Sequence, residues 1–466
     1  MTDPALDPGS FVDIHRAADL AAETFVYEHG WQSWSPAGLY PAELERSPRP
    51  HRHIWQAMAF RPEKPAPNSG FQGEGLLAVV NADRSAEVFV APEPQVQLAS
   101  IRARVEGGRV VVSADGPVVH LTAATLDEGL GQAASLLADR VTSTVPAALA
   151  AGWCSWYAYW NEVTAEDVLA NIEVIEREDL PVEVIQVDDG YQAGIGDWLD
   201  VRPAFGDLDR VVGRILDAGR TPGVWTAPFL VGTGSELARR HPQWLVDGAV
   251  ACEHHWGQEI RVLDVTHPAA AEHLRTVFAT LRQRGFAFHK IDFTYGGAME
   301  GLRHEDVSGI EAYRRGLEII REGIGSDGII LGCGAPLLPS IGLVDAMRIS
   351  PDVMPTWEPD LGDISQPGMR SAIAAGRARA WMHGRVWVND PDCVLMRPQV
   401  ERPDRWQDYL SALRGLAVSS DPLDRLDAGR LERVRALMRP SSGTPVEWDP
   451  WAGPDQGLIH GETASR

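Results

Sequence analysis

Lysine is almost absent from this 466-residue chain: of its 42 basic residues only Lys64 and Lys290 are lysines, and arginine fills the rest. Basic charge as a whole is scarce, with 42 basic residues against 65 acidic ones and a formal net charge of −23. Nucleic acids and anionic membrane surfaces require a basic footprint, so neither is expected as a partner. Long hydrophobic runs are missing as well, and nothing approaches the ~18 apolar residues of a membrane span. The opening Met1-Thr2-Asp3-Pro4 is acidic and lacks the basic region and apolar stretch of a secretory leader. The four cysteines, Cys154, Cys252, Cys333 and Cys393, are widely spaced and form no C-x-x-C pair. That spacing argues against a disulfide framework or a cysteine zinc site and suits a reducing cytoplasm. No G-x-G-x-x-G or G-x-x-x-x-G-K-[ST] stands at a strand–helix turn, which removes the nucleotide-binding α/β folds. No cofactor is expected.

What is present is an ordinary 44% hydrophobic fraction and 16 tryptophans. The length predicts two or three domains, and some of the tryptophans can serve as platforms for apolar ligand faces. Residues 1–148 read as a β-rich, sandwich-like domain. Its short runs, Gly75–Asn81, Glu87–Ala91, Val96–Arg104 and Arg109–Ser113, are separated by Gly, Pro, Asn and Asp turn signals. A helix over Leu126–Val141 closes this part.

From 149 to 425 the texture is strand–helix alternation. Strands are predicted at Gly152–Tyr157, Val182–Asp188, Thr221–Pro228, Phe286–Phe293, Gly328–Gly334, Ala346–Ser350, Arg385–Asp390 and Leu416–Asp421. Thr164 and Asp167 form a capping-box-like start to a helix carrying Val168, Ile172 and Ile175. Eight strands over this span predict an α/β fold, a (β/α)8 TIM barrel, better than an open doubly wound sheet. Residues 426–466 remain as a short tail that begins with a helix over Leu426–Met438.

A barrel builds its site from the C-terminal ends of its strands, and six predicted strands end in polar clusters. These are Asp188-Asp189-Gly190, Trp225-Thr226, Lys290 with Asp292, Gly332-Cys333-Gly334, Arg348 through Asp352, and Asn389-Asp390-Pro391-Asp392. Each alone has a plain structural reading as a hydrated turn, a cap or a close strand–helix approach. Their convergence on one mouth is the informative feature. In an extended strand Lys290 and Asp292 share a face. A lysine kept there, where arginine fills nearly every other cationic position, indicates that a compact point charge is required. Asp292 and Asp352 would face each other across the mouth, a pair suited to glycoside hydrolysis with one nucleophile and one acid/base. Asp188 and Asp189 offer acceptors for vicinal hydroxyls. The His254-His255 pair has no third ligand at useful spacing, so no metal site is expected from it.

In order and spacing, these segments resemble the retaining α-galactosidases of glycoside hydrolase family 36, in its compact bacterial and archaeal-type branch. The likeness runs through Gly30-Trp31-Gln32-Ser33-Trp34-Ser35, Gly152-Trp153-Cys154-Ser155-Trp156-Tyr157, Gln186-Val187-Asp188-Asp189 and Gly223-Val224-Trp225-Thr226-Ala227-Pro228. It continues through Lys290-Ile291-Asp292-Phe293, Leu331-Gly332-Cys333-Gly334, Arg348-Ile349-Ser350-Pro351-Asp352 and Trp387-Val388-Asn389-Asp390-Pro391-Asp392-Cys393, and covers roughly residues 25–400. The resemblance implies Asp292 as nucleophile and Asp352 as acid/base. It implies substrate-binding roles for Asp188, Asp189, Trp225, Lys290 and Arg348. Trp34, from the N-terminal domain, would wall the site, and Trp156, Tyr157, Cys333 and Gly334 complete the implied set.

The early position of Trp31 implies that the N-terminal domain lacks its usual opening strands, and the tail implies a reduced C-terminal β domain. The implied activity is hydrolysis of terminal α-galactosyl groups from a small galactoside or oligosaccharide. An α-N-acetylgalactosaminidase or a galactosyl-transferring enzyme of the same fold remains open. More distant alternatives are a metal-dependent barrel lyase or isomerase using Asp188, Asp189 and Asp292, and a non-catalytic sugar binder. Oligomeric state and natural substrate are not legible.

Overall fold

The computed structural model of the chain describes residues 11–445 except 21–22, 48, 51–58, 62, 142–144 and 254. His254 and the part of the expected tail beyond residue 445 therefore lie outside the described residues.

Eight parallel strands form one curled sheet in the order of the chain: Gly152–Cys154, Val184–Val187, Thr221–Thr226, Phe288–Ile291, Ile329–Gly332, Ala346–Arg348, Val388–Asp390 and Val418–Ser419. The eighth pairs with the first, Gly152 opposite Val418. Between the seventh and eighth strands the regular ladder lapses, and a hydrogen bond from Leu416 N to Asn389 O (2.8 Å) crosses the seam. These strands are short and their side chains are buried almost throughout. Burial on both faces is why they read as apolar runs rather than as alternating patterns.

Helices cover the outside. Ala165–Arg177 begins with the Thr164–Asp167 capping box in full, each partner bonding the other's backbone. Between the fifth and sixth strands the connection holds only a 3-10 turn, Leu338–Ser340, because thirteen residues leave no room for a helix and its two loops. Between the third and fourth strands the chain makes an excursion absent from the sequence reading, an antiparallel three-stranded sheet of Leu230–Gly232, Leu245–Cys252 and Ile260–Leu263. The loop between its last two strands carries His255 and Trp256 over the barrel mouth.

The N-terminal part is a sandwich of two antiparallel sheets. One contains Val12–Asp19, Arg109–Ala114, Ser100–Glu106 and Phe71–Glu74; the other contains Gly38–Pro41, Phe25–Glu28, Leu76–Val80, Ala86–Val90 and Val119–Ala123. Leu77, Val79 and Phe89 face the opposing sheet with Ile101 and Val112. Leu76, Ala78, Val80, Val88 and Val90 point the other way, into the helix Leu126–Ala138 and the barrel core. A strand buried on both faces has no polar alternation, so Leu76–Val80 stands out in the sequence. The edge strands Val12–Asp19 and Val119–Ala123, partly exposed to solvent, do not.

Two strands, Val12–Asp19 and Phe25–Glu28, precede Trp31. The strand expected from Val96 begins at Ser100; Val96 itself is exposed and lies in a turn, its N–H donating to Glu93 O. The helix expected to reach Val141 ends at Ala138, where Asp139 caps it.

The sandwich is fastened to the barrel by Arg379. Its guanidinium is fully buried and donates to the carbonyls of Gln32 (3.0 Å), Ser33 (3.0 Å), Ser35 (2.8 Å) and Ile349 (2.7 Å). Burial pulls its pKa down to about 10. One side chain thus ties the Trp34 loop to the segment that follows the sixth strand.

Candidate active site

A cavity of about 340 Å³ opens at the C-terminal ends of the barrel strands, lined by acids from the second, fourth and sixth strand ends and by a ring of aromatics. Five of the residues expected from sequence to form the site come from the second to fourth strands: Asp188, Asp189, Trp225, Lys290 and Asp292. Asp352 follows the sixth strand, and Trp34 and Trp156 complete the wall from the sandwich loop and from the end of the first strand.

Asp292 is held from several sides. Its Oδ1 accepts the backbone N–H of Phe293 (2.7 Å) and its Oδ2 the indole N–H of Trp225 (3.1 Å). The Lys290 ammonium lies 3.9 Å from Oδ2. The closer partner of Lys290 is Asp188, at 2.9 Å, a contact that joins positions 102 apart in sequence. Gln186 also donates to the same Asp188 oxygen (2.6 Å). Lys290 therefore sits between two carboxylates instead of serving Asp292 alone, and these charges hold its pKa well above the ordinary lysine value against the opposing effect of burial.

Asp189 accepts from Gln192 (2.5 Å) and from the Trp256 indole (2.8 Å). Burial is the main reason its pKa is raised. Asp352 is the most perturbed acid in the cavity: burial first, then repulsion by Asp392, pushes it up to about 7, with Arg348 opposing and Asp292 adding to the rise. It is consequently the carboxyl best placed to keep a proton near neutrality.

Arg348 lies beneath the cavity rather than in its wall. It bonds Asp390 (3.0 Å), Asp392 (2.9 Å) and, more loosely, Asp352 (3.3 Å). Tyr157 is also beneath the wall, donating to Asp392 (2.6 Å). Cys333 is buried behind Lys290 and Asp292, and its thiol pKa is raised well above normal, chiefly by burial. Gly334 has φ +50, and a Cβ there would stand 3.1 Å from Phe293 N and 3.3 Å from Asp292 Oδ1. A side chain at 334 would thus push on the segment that presents Asp292.

Sequence reasoning missed Trp160, Asn161, His255, Trp256 and Phe293, all of which line the cavity. Trp160, Trp256 and Phe293 have positive φ (54°, 52° and 49°), a backbone state that bulky residues rarely occupy. Such strain gathers at sites where position matters more than comfort. Asn161 is held in place by Gly190, whose φ of +121° and missing side chain let the two backbones meet; a Cβ at 190 would lie 2.7 Å from Asn161 O. The Asp390 and Asp392 carboxylates were visible as a strand-end cluster. Their task of anchoring Arg348 was not.

Residues 136–299 match the family model described as Melibiase. The solved α-galactosidase TtGalA from Thermus thermophilus, in complex with p-nitrophenyl α-D-galactopyranoside, aligns at TM-score 0.78 and 26% identity over 93% of this chain and 90% of that one. The family 36 α-galactosidase AgaA from Geobacillus stearothermophilus shares the fold at TM-score 0.60 and 14% identity, over 92% of this chain and 61% of its own. In sequence, 98 residues are 30% identical to that AgaA, and 100 residues are 25% identical to the bifunctional α-galactosidase/sucrose kinase AgaSK of Mediterraneibacter gnavus. Those stretches span only 13% and 10% of the two relatives' lengths. The chain resembles the α-galactosidases of glycoside hydrolase family 36 and has their fold, a barrel preceded by a β domain.

Proposed function

We propose that this protein is an exo-acting α-galactosidase that removes terminal α-linked galactosyl groups with net retention, through a covalent galactosyl-enzyme. The observation that carries this reading is the unequal pair at the cavity mouth, Asp292 fixed by donors and Asp352 raised to about 7. Two carboxyls with separated roles are what a double displacement needs. Asp292 attacks the anomeric carbon, the glycosidic C–O bond breaks, and the Asp352 proton passes to the departing oxygen. Esterification removes the negative charge of Asp292, one of the influences holding Asp352 protonated. Asp352 then takes a proton from water, which attacks the anomeric carbon and frees Asp292.

Asp188, Asp189 and Lys290 supply acceptors and a donor for sugar hydroxyls, and Trp34, Trp225 and Trp256 supply apolar walls. A cavity of about 340 Å³ lies at the small end of ligand sites, which suits one terminal sugar. Cys333 lies behind the wall, so residue 333 does not itself present an acetamido pocket. The metal-dependent alternative is disfavoured by Lys290, whose ammonium stands 2.9 Å from Asp188 and 3.9 Å from Asp292, where a shared divalent ion would have to sit. The expected boundaries at 148 and 425 and a cytoplasmic location belong to the same proposal.

The direct test is early-time NMR of hydrolysis of a p-nitrophenyl α-galactoside, with the N-acetylgalactosaminide and glucoside as comparators. Release of α-galactose before mutarotation is expected; β-galactose as first product would reject the double displacement. Lys290→Arg should lower kcat/KM by about 10²-fold or more, because a planar fork cannot replace a point charge held between Asp188 and Asp292. Steady-state kinetics on the same substrate checks this, and a loss of only a few-fold would reduce Lys290 to a generic ion-pair partner.

A further inference from the structure

In the N-terminal sandwich, outside the set of residues that line the barrel-mouth cavity, His15, Glu87 and His120 bring their ligand atoms together within 4.8 Å of one another. They come from three strands in two different sheets: His15 from Val12–Asp19 in one, Glu87 and His120 from Ala86–Val90 and Val119–Ala123 in the other. Nothing in their sequence spacing, 15, 87 and 120, announces a site. The sandwich creates it by closing its sheets.

The geometry has a specific chemical feature. Both imidazoles direct Nε2 at the same carboxylate oxygen, Glu87 Oε2, at 2.6 Å for His15 and 3.1 Å for His120. Three groups that can each offer a lone pair thus face a common centre. Either protons on the rings satisfy them or a single cation does. A tetrahedral ion with bonds of ~2.0–2.2 Å to nitrogen and oxygen places its ligand atoms ~3.3 Å apart. The two Nε2–Oε2 separations, 2.6 and 3.1 Å, are shorter than that, so binding would draw the His15 ring back from Glu87 by under an ångström.

The rings are also supported. Phe89, buried in the sandwich core, stacks on His120 with centroids 4.6 Å apart and lies 5.5 Å from His15. The two imidazoles are 4.6 Å apart. Glu87 has 15% of its side chain exposed and His120 37%, so the centre is backed by core and open to solvent on one side. A three-ligand set with one open side leaves room for a water as the fourth ligand.

We infer that His15, Glu87 and His120 form a binding site for a borderline divalent transition-metal ion, zinc being the member of that class best matched to two imidazoles and one carboxylate. The ion would clip the first strand of one sheet to two strands of the other. Val12–Asp19 is an edge strand whose register with Arg109–Ala114 slips twice. It is therefore the element of the sandwich that gains most from such a cross-link. The role is structural and independent of the chemistry at the barrel mouth.

The test uses the full-length chain, stripped with chelator and dialysed, in wild-type form and as His120→Ala and Glu87→Gln. Isothermal titration with zinc chloride should show one more bound equivalent in the wild type than in either variant. Cobalt(II) in place of zinc should give the intense visible d–d bands of a four-coordinate site in the wild type alone. Saturating zinc should raise the wild-type Tm by a few degrees and leave both variants unmoved. His120 is partly exposed and Glu87→Gln is isosteric, so circular dichroism should show both variants folded. Equal stoichiometry in all three proteins, or no four-coordinate cobalt spectrum in the wild type, would overturn the assignment. Turnover of an aryl α-galactoside should be the same in all three.

Discussion

Asp292→Ala is expected to lower kcat/KM for p-nitrophenyl α-galactoside by roughly 10⁵-fold, since the proposed covalent intermediate forms on its carboxylate. The fold should survive, because Asp292 sits at a strand end in an open cavity and its loss leaves room that water can fill. Azide should enter that space, attack the anomeric carbon from the vacated side and release β-galactosyl azide. Detection of that product by NMR, together with partial recovery of rate, identifies the residue as nucleophile. A variant within tenfold of wild type would remove Asp292 from the mechanism.

Asp352→Asn should divide substrates by leaving group. An alkyl or sugar aglycone departs as a strongly basic alkoxide and needs its proton early, so its kcat/KM should fall about 10³-fold or more; an activated aryl aglycone should lose far less in that step. Breakdown of the galactosyl-enzyme should slow for both, so a burst of nitrophenol should precede a reduced steady state. The pH profile carries the sign. Glycosylation needs the protonated acid, and burial with repulsion from Asp392 raises Asp352 to about 7. Wild-type kcat/KM on an alkyl α-galactoside should therefore fall tenfold per pH unit above that value, and Asp352→Asn should lose this alkaline limb. An unchanged limb in the variant would assign it to another group.

Much of the barrel was legible residue by residue. Strands such as Phe288–Ile291 and Ile329–Gly332 are apolar runs bounded by turn signals, and Thr164 announces its helix through a local capping box. Strand-end acids were legible because a barrel's loops and active sites occupy that end. The same approach failed where pattern is weak. Val12–Asp19 is half exposed and polar, and the excursion from Leu230 to Leu263 inserts antiparallel strands where alternation predicted a simple helical crossover. Trp160, Trp256 and Phe293 escaped notice because a left-handed backbone state has no signature in a bulky residue.

The sequence alone identified which groups stand at the barrel mouth: Lys290 two residues before Asp292, paired aspartates after the second strand, and Asp352 beyond the sixth. It could do so because strand periodicity and turn chemistry are local, and local rules decide which residues reach the mouth. Only the tertiary structure decided how those groups share charge. Lys290 bonds Asp188 more closely than Asp292, Arg348 is taken by Asp390 and Asp392, and Asp352 is left with its pKa raised by desolvation and by Asp392. Desolvation and charge–charge distance depend on what every strand places around a group, and these are set by contacts between residues tens to hundreds of positions apart.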